Sequence, residues 1–426
     1  VSTIRVIGGK PLHGTVSVGG AKNASLPIIT ACLLIRGKTK LINIPEIGDI
    51  KTMLAGLSEM GVKITQGEEP GSYYIDASGE IKHHANFKGV SQIRGSQTLL
   101  GAILARNGKV ILPPLGGCKI GSRQMDLHIN GLSMLGAKVT YEGSDIHMET
   151  NGLKGTQVYL DYSSVGATEN MILAACLAEG NTVLENAAQE PEIVDLINFL
   201  NKAGAKISGL GSKTIRIVGV SELKPNLYHR IMPDRIEAGT YMIASAITGG
   251  DVIVDKMSIS DVGSLIYKLR EIGAEISVTG QDQARIRMSG KASPFQIKTM
   301  PYPGFPTDLQ SQMLALSCLA NGISVIVENV FDSRFQVVTE LQKMGANIVV
   351  DQKTATITGV NTLKPAEVFC PDLRGGAALL LAALTCPGET IVHDIEKVDR
   401  GYEHLIQKFN SIGANLMEVE EKNDAN

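Results

Sequence analysis

Six times along this chain a helix ends in the same way: Leu or Phe, two residues, an apolar residue, Gly, then Ala or Val. The copies are Leu57-Ser-Glu-Met-Gly-Val, Leu132-Ser-Met-Leu-Gly-Ala, Leu200-Asn-Lys-Ala-Gly-Ala, Leu269-Arg-Glu-Ile-Gly-Ala, Leu341-Gln-Lys-Met-Gly-Ala and Phe409-Asn-Ser-Ile-Gly-Ala. Their glycines, at 61, 136, 204, 273, 345 and 413, recur every 68 to 75 residues. Self-similarity at a fixed period makes each copy one supersecondary unit, half the size of a small domain. In five copies the residues one, four and eight before the glycine are apolar, as in Met53/Leu57/Met60 and Leu405/Phe409/Ile412, which is one face of a helix. Glycine then caps the helix and a short strand follows, as in Lys63-Ile-Thr. The second copy places His128 on the apolar face. A satisfied core histidine is the expected reading there, with a ligand or base as the alternative.

Upstream in each unit lies a second helix that is apolar nearly all round: Leu26 to Leu34, Thr98 to Leu104, Met171 to Leu177, Tyr241 to Ile247, Met313 to Leu319 and Ala377 to Leu384. Helices of that kind belong inside. A strand such as Lys40-Leu-Ile-Asn or Ser324-Val-Ile-Val comes next, so a unit reads helix, strand, helix, strand, strand. Most units finish on a strand like Thr214-Ile-Arg-Ile-Val-Gly, whereas the sixth runs into the polar tail Glu418 to Asn426. Its missing strand is at the start of the chain, because Thr3-Ile-Arg-Val-Ile-Gly matches that pattern. The expected fold is therefore α+β with two pseudo-symmetric domains of three units each. One domain takes residues 1–20 plus 230–426 and is closed by the N-terminal strand; the other, residues 21–229, is inserted into it.

Composition removes several functional classes. A formal net charge of −3 gives no basic footprint for nucleic acid or an anionic membrane. The longest apolar runs, Leu26 to Ile35 and Ala377 to Cys386, fall short of the ~18 residues that span a bilayer. The first residues do not read as a secretory signal. Cysteines at 32, 118, 176, 318, 370 and 386 show neither CxxC nor Cys/His ligand spacing, so no zinc site or disulfide framework is expected and a reducing cytoplasm is the expected compartment.

Because equivalent positions in the repeats share packing, a charge found where its counterparts lack one suggests function. Lys22-Asn23, Arg94, Thr168-Glu169, Glu237, Asp308 and Arg374 stand at the start of the buried helices. Cys118 with Arg123, Arg334 and Arg400 stand at the start of the second helices. Helix N-termini offer unpaired N–H donors and bind anions. Lys22, Arg94, Arg123, Arg334, Arg374 and Arg400 would make a dense cationic cluster if the two domains faced each other, which predicts an anionic ligand. Gly19-Gly-Ala-Lys-Asn-Ala-Ser lacks the spacing of a P-loop or a dinucleotide fingerprint. Asp308 reads either as a base beside this field or as an N-cap. Cys118 lies between glycines at 116, 117 and 121 and beside Lys119 and Arg123, so its thiolate is favoured; an incidental surface cysteine is the alternative.

Gly19-Gly-Ala-Lys-Asn-Ala-Ser, Gly116-Gly-Cys-Lys-Ile-Gly-Ser-Arg-Gln-Met-Asp-Leu-His, Ser164-Val-Gly-Ala-Thr-Glu-Asn, Pro301-Tyr-Pro-Gly-Phe-Pro-Thr-Asp-Leu-Gln and Asp399-Arg-Gly-Tyr-Glu resemble the UDP-N-acetylglucosamine 1-carboxyvinyltransferase family, the bacterial enolpyruvyl transferases of peptidoglycan synthesis. The resemblance runs end to end. It implies two domains, each an inside-out α/β barrel in which sheets form a prism around the helices. The implied partners are phosphoenolpyruvate and UDP-N-acetylglucosamine, without metal or organic cofactor. Lys22 and Asn23 would contact phosphoenolpyruvate and the sugar, with Arg123 and Arg400 gripping phosphate and carboxylate. Cys118 would form a phospholactoyl adduct on a lid loop and act as general acid, and Asp308 would take the proton of the sugar 3-hydroxyl. Arg94, the run Arg123, Gln124, Met125, Asp126 and Leu127, the run Ser163, Ser164, Val165 and Gly166, and Val330 would hold the nucleotide sugar. One departure is that Gln124-Met125 stands where family members often have Pro-Val. The rival readings are a shikimate 3-phosphate enolpyruvyl transferase, a silent nucleotide-sugar-binding paralogue, and a cysteine hydrolase, for which no His-Asn/Asp pair is identifiable by spacing.

Overall fold

Each repeat builds its sheet in one order, which the computed structural model shows for residues 2–114 and 125–419, the residues it describes. A strand following the buried helix lies in the middle, with a parallel strand on one side and an antiparallel hairpin on the other. In the fifth repeat, Ile323–Val327 has Gln296–Lys298 parallel to it on one edge. On the other it pairs antiparallel with Thr354–Thr358, which pairs in turn with Asn347–Asp351. Alternation along these strands puts one side inward: Ser324 and Ile326 are buried while Ile323 is 62% exposed. Five of the sheets have four strands; that of the second repeat has three, and the remaining edge is reduced to a single parallel bridge between His84 and Ile111.

The first and last repeats are completed from elsewhere in the sequence. Thr3–Gly8 lies between Gly388–His393 and Leu416–Val419, antiparallel to both, with Thr3 opposite His393 and Val419. The N-terminal strand thus fills the position expected for it. The sixth repeat does not dissolve into a polar tail at Glu418, however: Leu416–Val419 is a strand whose Leu416 is buried. A second borrowed strand, Leu227–Arg230, runs parallel to Lys38–Ile42 of the first repeat, and His13–Ser17 runs parallel to Asp251–Asp255 of the fourth.

The described chain separates into two compact units, residues 2–19 with 233–419 and residues 20–114 with 125–232. In the first, the helices Arg235–Ile247, Gln310–Ser317 and Leu373–Thr385 pack on one another with nearly every residue buried. Tyr241 and Phe409 meet there with ring centroids 5.1 Å apart. In the second unit Leu99–Asn107 packs against both Lys22–Ala31 and Val165–Ala175. Each buried Leu, Ile or Phe side chain contributes about 1.5–3 kcal/mol, so these helices, enclosed by sheets, are the main source of stability. The six repeat glycines all adopt left-handed φ, from 90° at Gly345 to 108° at Gly61, which is what ends each helix and turns the chain toward its hairpin. Among the described residues no helix is long and apolar enough to cross a membrane.

Candidate active site

In the unit formed by residues 2–19 and 233–419 the centre is Asp308, in the one-turn segment Thr307–Leu309. Its side chain is not an N-cap: Pro306 holds that position, and no side chain caps the turn. Instead, Arg334 donates Nη2 to Oδ1 at 2.8 Å and Arg374 donates Nη2 to Oδ2 at 3.1 Å. Both arginines are buried, at 2% and 4% exposure. Arg334 leaves Nε and Nη1 buried with no acceptor among the described residues. Burial alone would weaken the Arg374 charge, but Asp308, Tyr402 and Asp234 outweigh it and raise its pKa. Buried guanidinium nitrogens without acceptors are costly, which suits this group to an anionic ligand.

Glu328, which sequence reasoning missed, holds this centre in place. It is 1% exposed and accepts from Thr299 Oγ1 (2.8 Å), Thr307 Oγ1 (2.9 Å), Val330 N (2.8 Å) and Phe331 N (3.0 Å). One carboxylate thereby ties the turn bearing Asp308 to the segment that bears Val330 and leads to Arg334. The signal was available in outline, as a glutamate closing the apolar run Ser324-Val-Ile-Val. Behind Asp308, Gln312 donates Nε2 to the Asp308 carbonyl at 3.0 Å and lies 3.2 Å from the Tyr402 hydroxyl.

Two expected positions in this unit require correction. Arg400 does not start the second helix of its repeat; it is the C-cap of an extra turn, Glu396–Asp399, and the helix itself begins at Leu405. A cation there complements the negative end of the turn. Beside it, burial together with Glu418 and Glu396 pushes the Asp399 carboxyl up to about 6. Arg334 likewise precedes its helix, lying in the irregular segment four residues before Val338–Lys343, with its side chain committed to Asp308.

In the unit formed by residues 20–114 and 125–232, Lys22 begins the helix Lys22–Ala31 and pairs with Asp49 at 2.6 Å, with side-chain exposures of 12% and 6%. Asp49 is the second residue of Gly48–Glu59, a partner not foreseen from sequence. Asn23 follows, half-buried. Arg94 opens a 3-10 turn, Arg94–Thr98, rather than the α-helix, which starts at Leu99; its burial lowers its pKa. Ser164 caps Val165–Ala175 by accepting from Ala167 N at 3.3 Å, and Ser163 donates to the Ala187 carbonyl at 3.4 Å. Gly166 sits so close to Gln97 and His128 that a Cβ there would collide with the Gln97 amide and lie 3.1 Å from His128 Cε1. Met125, Asp126 and Leu127 form the start of Asp126–Met134, with Asp126 in the first turn, where a carboxylate suits the dipole.

His128 is the satisfied core residue expected. Asn170 donates Nδ2 to its Nδ1 at 2.7 Å, so Nε2 carries the proton. Burial, then the charge of Arg94, pushes its pKa down to about 4. Cys118, Arg123 and Gln124 lie outside the described residues. Among those described, Asp308, Arg334 and Arg374 form one group, Lys22 and Asp49 a second, and Arg94, His128 and Gly166 a third. No cluster of three or more His, Cys, Asp or Glu able to hold a metal occurs among the described residues.

These features define an enolpyruvyl transferase fold. The enolpyruvyl transferase NikO from Streptomyces tendae superimposes with a TM-score of 0.89 over 98% of this chain and 99% of its own, at 22% identity. The EPSP synthase of Acinetobacter baumannii follows at 0.74 over 99% and 100%, at 21% identity. The family model of EPSP synthase (3-phosphoshikimate 1-carboxyvinyltransferase) matches residues 6–409. Nearer in sequence are UDP-N-acetylglucosamine 1-carboxyvinyltransferase 2 of Carboxydothermus hydrogenoformans, 48% identical over 97% of this chain and 99% of the relative, and UDP-N-acetylglucosamine 1-carboxyvinyltransferase 1 of Staphylococcus aureus strain N315, 45% identical over 98% and 99%. The chain belongs to the UDP-N-acetylglucosamine 1-carboxyvinyltransferase family of transferases, within the broader EPSP synthase family.

Proposed function

We propose that the protein transfers the enolpyruvyl group of phosphoenolpyruvate to the 3-hydroxyl of UDP-N-acetylglucosamine and releases phosphate, the first committed step of peptidoglycan synthesis in the cytoplasm. The observation that carries this reading is Asp308 held between two buried arginines, one with two unused donors, in a chain nearly half identical to transferases named for that acceptor. In the addition step the Asp308 carboxylate takes the hydroxyl proton as the sugar oxygen bonds to C2 of phosphoenolpyruvate, while Cys118 delivers a proton to C3. Elimination then breaks the C2–O bond to phosphate, and a proton leaves C3 to restore the vinyl group. Lys22, Arg123 and Arg400 hold the phosphate and carboxylate, and preorganised donors of this kind are worth roughly 3 kcal/mol each in a water-excluded site. Arg94, the Arg123–Leu127 run and Ser163–Gly166 hold the nucleotide sugar.

The family model is named for a shikimate 3-phosphate enzyme, so the acceptor is the point to test. Phosphate release measured with phosphoenolpyruvate and each acceptor in turn is expected with UDP-N-acetylglucosamine and absent with shikimate 3-phosphate. Asp308→Asn should lower turnover by at least ~100-fold. Release with shikimate 3-phosphate alone would overturn the assignment.

A further inference from the structure

The start of the helix bearing Lys22 is held by a chain of hydrogen bonds that begins at a half-buried carboxylate far away in sequence. Asp195, in Pro191–Lys202, accepts from Met232 N through Oδ2 at 3.1 Å. The Met232 carbonyl accepts from Ala21 N at 2.8 Å, and Ala21 is the N-cap of Lys22–Ala31. Ala21 brings no capping side chain, so its backbone position is set from outside the helix.

Asp195 is itself fixed on its other oxygen. His229, 2% exposed, lies 3.0 Å from Oδ1 through Nε2, and Lys202 lies 3.2 Å from His229 Nδ1. An ammonium only donates, so Nδ1 accepts and Nε2 donates to Asp195. Phe199 packs edge-on against the imidazole, with centroids 5.4 Å apart. Asn43 supports the same place: its backbone is left-handed at φ 60°, its Nδ2 donates to the Ile231 carbonyl at 2.9 Å, and its carbonyl would collide with any side chain on Gly20. This is more polar machinery than a loop needs in order to stay folded. In the other unit Glu237 plays a matching part, accepting from Gly19 N at 2.8 Å and from Lys408 at 2.6 Å.

We propose that Asp195, held by His229 and Lys202, is a positioning residue of the reaction: through Met232 and Ala21 it sets where Lys22 and Asn23 stand. The inference rests on the reading of Lys22 as a phosphoenolpyruvate contact. It predicts a defect weighted toward phosphoenolpyruvate, because Lys22 is its cationic contact on this helix, whereas Arg94 and Ser163–Gly166, which supply most of the contacts to the nucleotide sugar, stay in place.

Two measurements separate this claim from the functional reading. Hydrogen exchange on the full chain should show the Met232 and Ala21 amides exchanging about tenfold faster in Asp195→Ala, with the amides of Leu373–Thr385 unchanged. Asp195→Asn, which keeps one acceptor oxygen for Met232 but sets a second donor against His229 Nε2–H, should fall between Asp195→Ala and the wild type. In the phosphate-release assay Asp195→Ala should raise the KM for phosphoenolpyruvate about tenfold with kcat and the KM for UDP-N-acetylglucosamine within about threefold, and Asp195→Asn should recover part of the loss. Unchanged exchange at Met232 and Ala21, or equal rises in both KM values, would overturn the proposal. If the wild type releases no phosphate, the functional reading fails, and the exchange data still decide whether Asp195 holds Ala21.

Discussion

At the scale of single residues, burial sorts the cysteines. Cys32, Cys176, Cys318, Cys370 and Cys386 are all buried. Burial pushes the thiols of Cys176, Cys318 and Cys370 up to about 12 and Cys386 to about 11, with Cys32 higher still. None is a nucleophile near neutral pH, since the thiolate is the reactive form. Cys118, set by its sequence between glycines and cations, is therefore the thiol expected to react. An anionic epoxide such as fosfomycin, entering as a mimic of phosphoenolpyruvate, should leave one adduct at Cys118 in peptide maps and none in Cys118→Asp. A label on any of the other five would contradict both the burial pattern and the role given to Cys118.

Single charges were legible in the sequence where they broke the repeat, which is how Asp308, Arg334 and Arg374 were found. Their supports were not. Glu328 binds Thr307 from 21 positions away and Thr299 from 29, and Asp49 meets Lys22 across 27 residues; no local period reports such pairs. Arg400 was misplaced for a related reason, because a single extra turn, Glu396–Asp399, is too short to show helical periodicity.

At the scale of elements, one amide laces three helices of the unit that carries Lys22. Asn170, in Val165–Ala175, donates Nδ2 to His128 of Asp126–Met134 and to the Gln97 carbonyl, and accepts from Gly101 N of Leu99–Asn107 at 2.7 Å. The lacing requires a neutral His128. Its pKa is about 4 in the folded protein against an ordinary 6.5, so the unfolded chain binds the proton more tightly. Stability should therefore fall as pH drops through 6.5 toward 4, by up to roughly 3 kcal/mol, and this contribution should level off below that. Urea titrations of the wild type and His128→Gln across this window should show the slope reduced in the variant. Parallel curves would mean that His128 does not titrate as its surroundings require. The apolar face containing His128 was legible from spacing; its neutrality was not, since it depends on how completely the fold buries the ring and on the charge of Arg94.

For the whole molecule, the borrowed strands matter most. Thr3–Gly8 occupies the position between two strands at the far end of the sequence, and Ser2 adds hydrogen bonds to Glu396 at 2.9 and 3.2 Å. Removing residues 2–9 should strip the sheet of its interior strand and expose Val392 and Leu416, lowering the melting temperature of the unit formed by residues 2–19 and 233–419 by more than about 10 °C. Calorimetry in which that transition is unchanged would show that the sixth repeat closes without it. The match between Thr3-Ile-Arg-Val-Ile-Gly and Thr214-Ile-Arg-Ile-Val-Gly makes this closure readable in the sequence, because repeats carry their own template. The second repeat's lost edge strand was not readable, as nothing in the segment around His84 breaks the pattern strongly enough to announce it.

Addition followed by elimination on phosphoenolpyruvate can be read directly with solvent deuterium. With UDP-N-acetylglucosamine and phosphoenolpyruvate in deuterium oxide, protonation at C3 and later loss of a proton must leave deuterium in the vinyl group of the product. Mass spectrometry of the enolpyruvyl sugar nucleotide should show that label in the wild type, with almost no product from Asp308→Asn. A product whose vinyl group carries no deuterium, or no enolpyruvyl sugar nucleotide at all, would contradict the account.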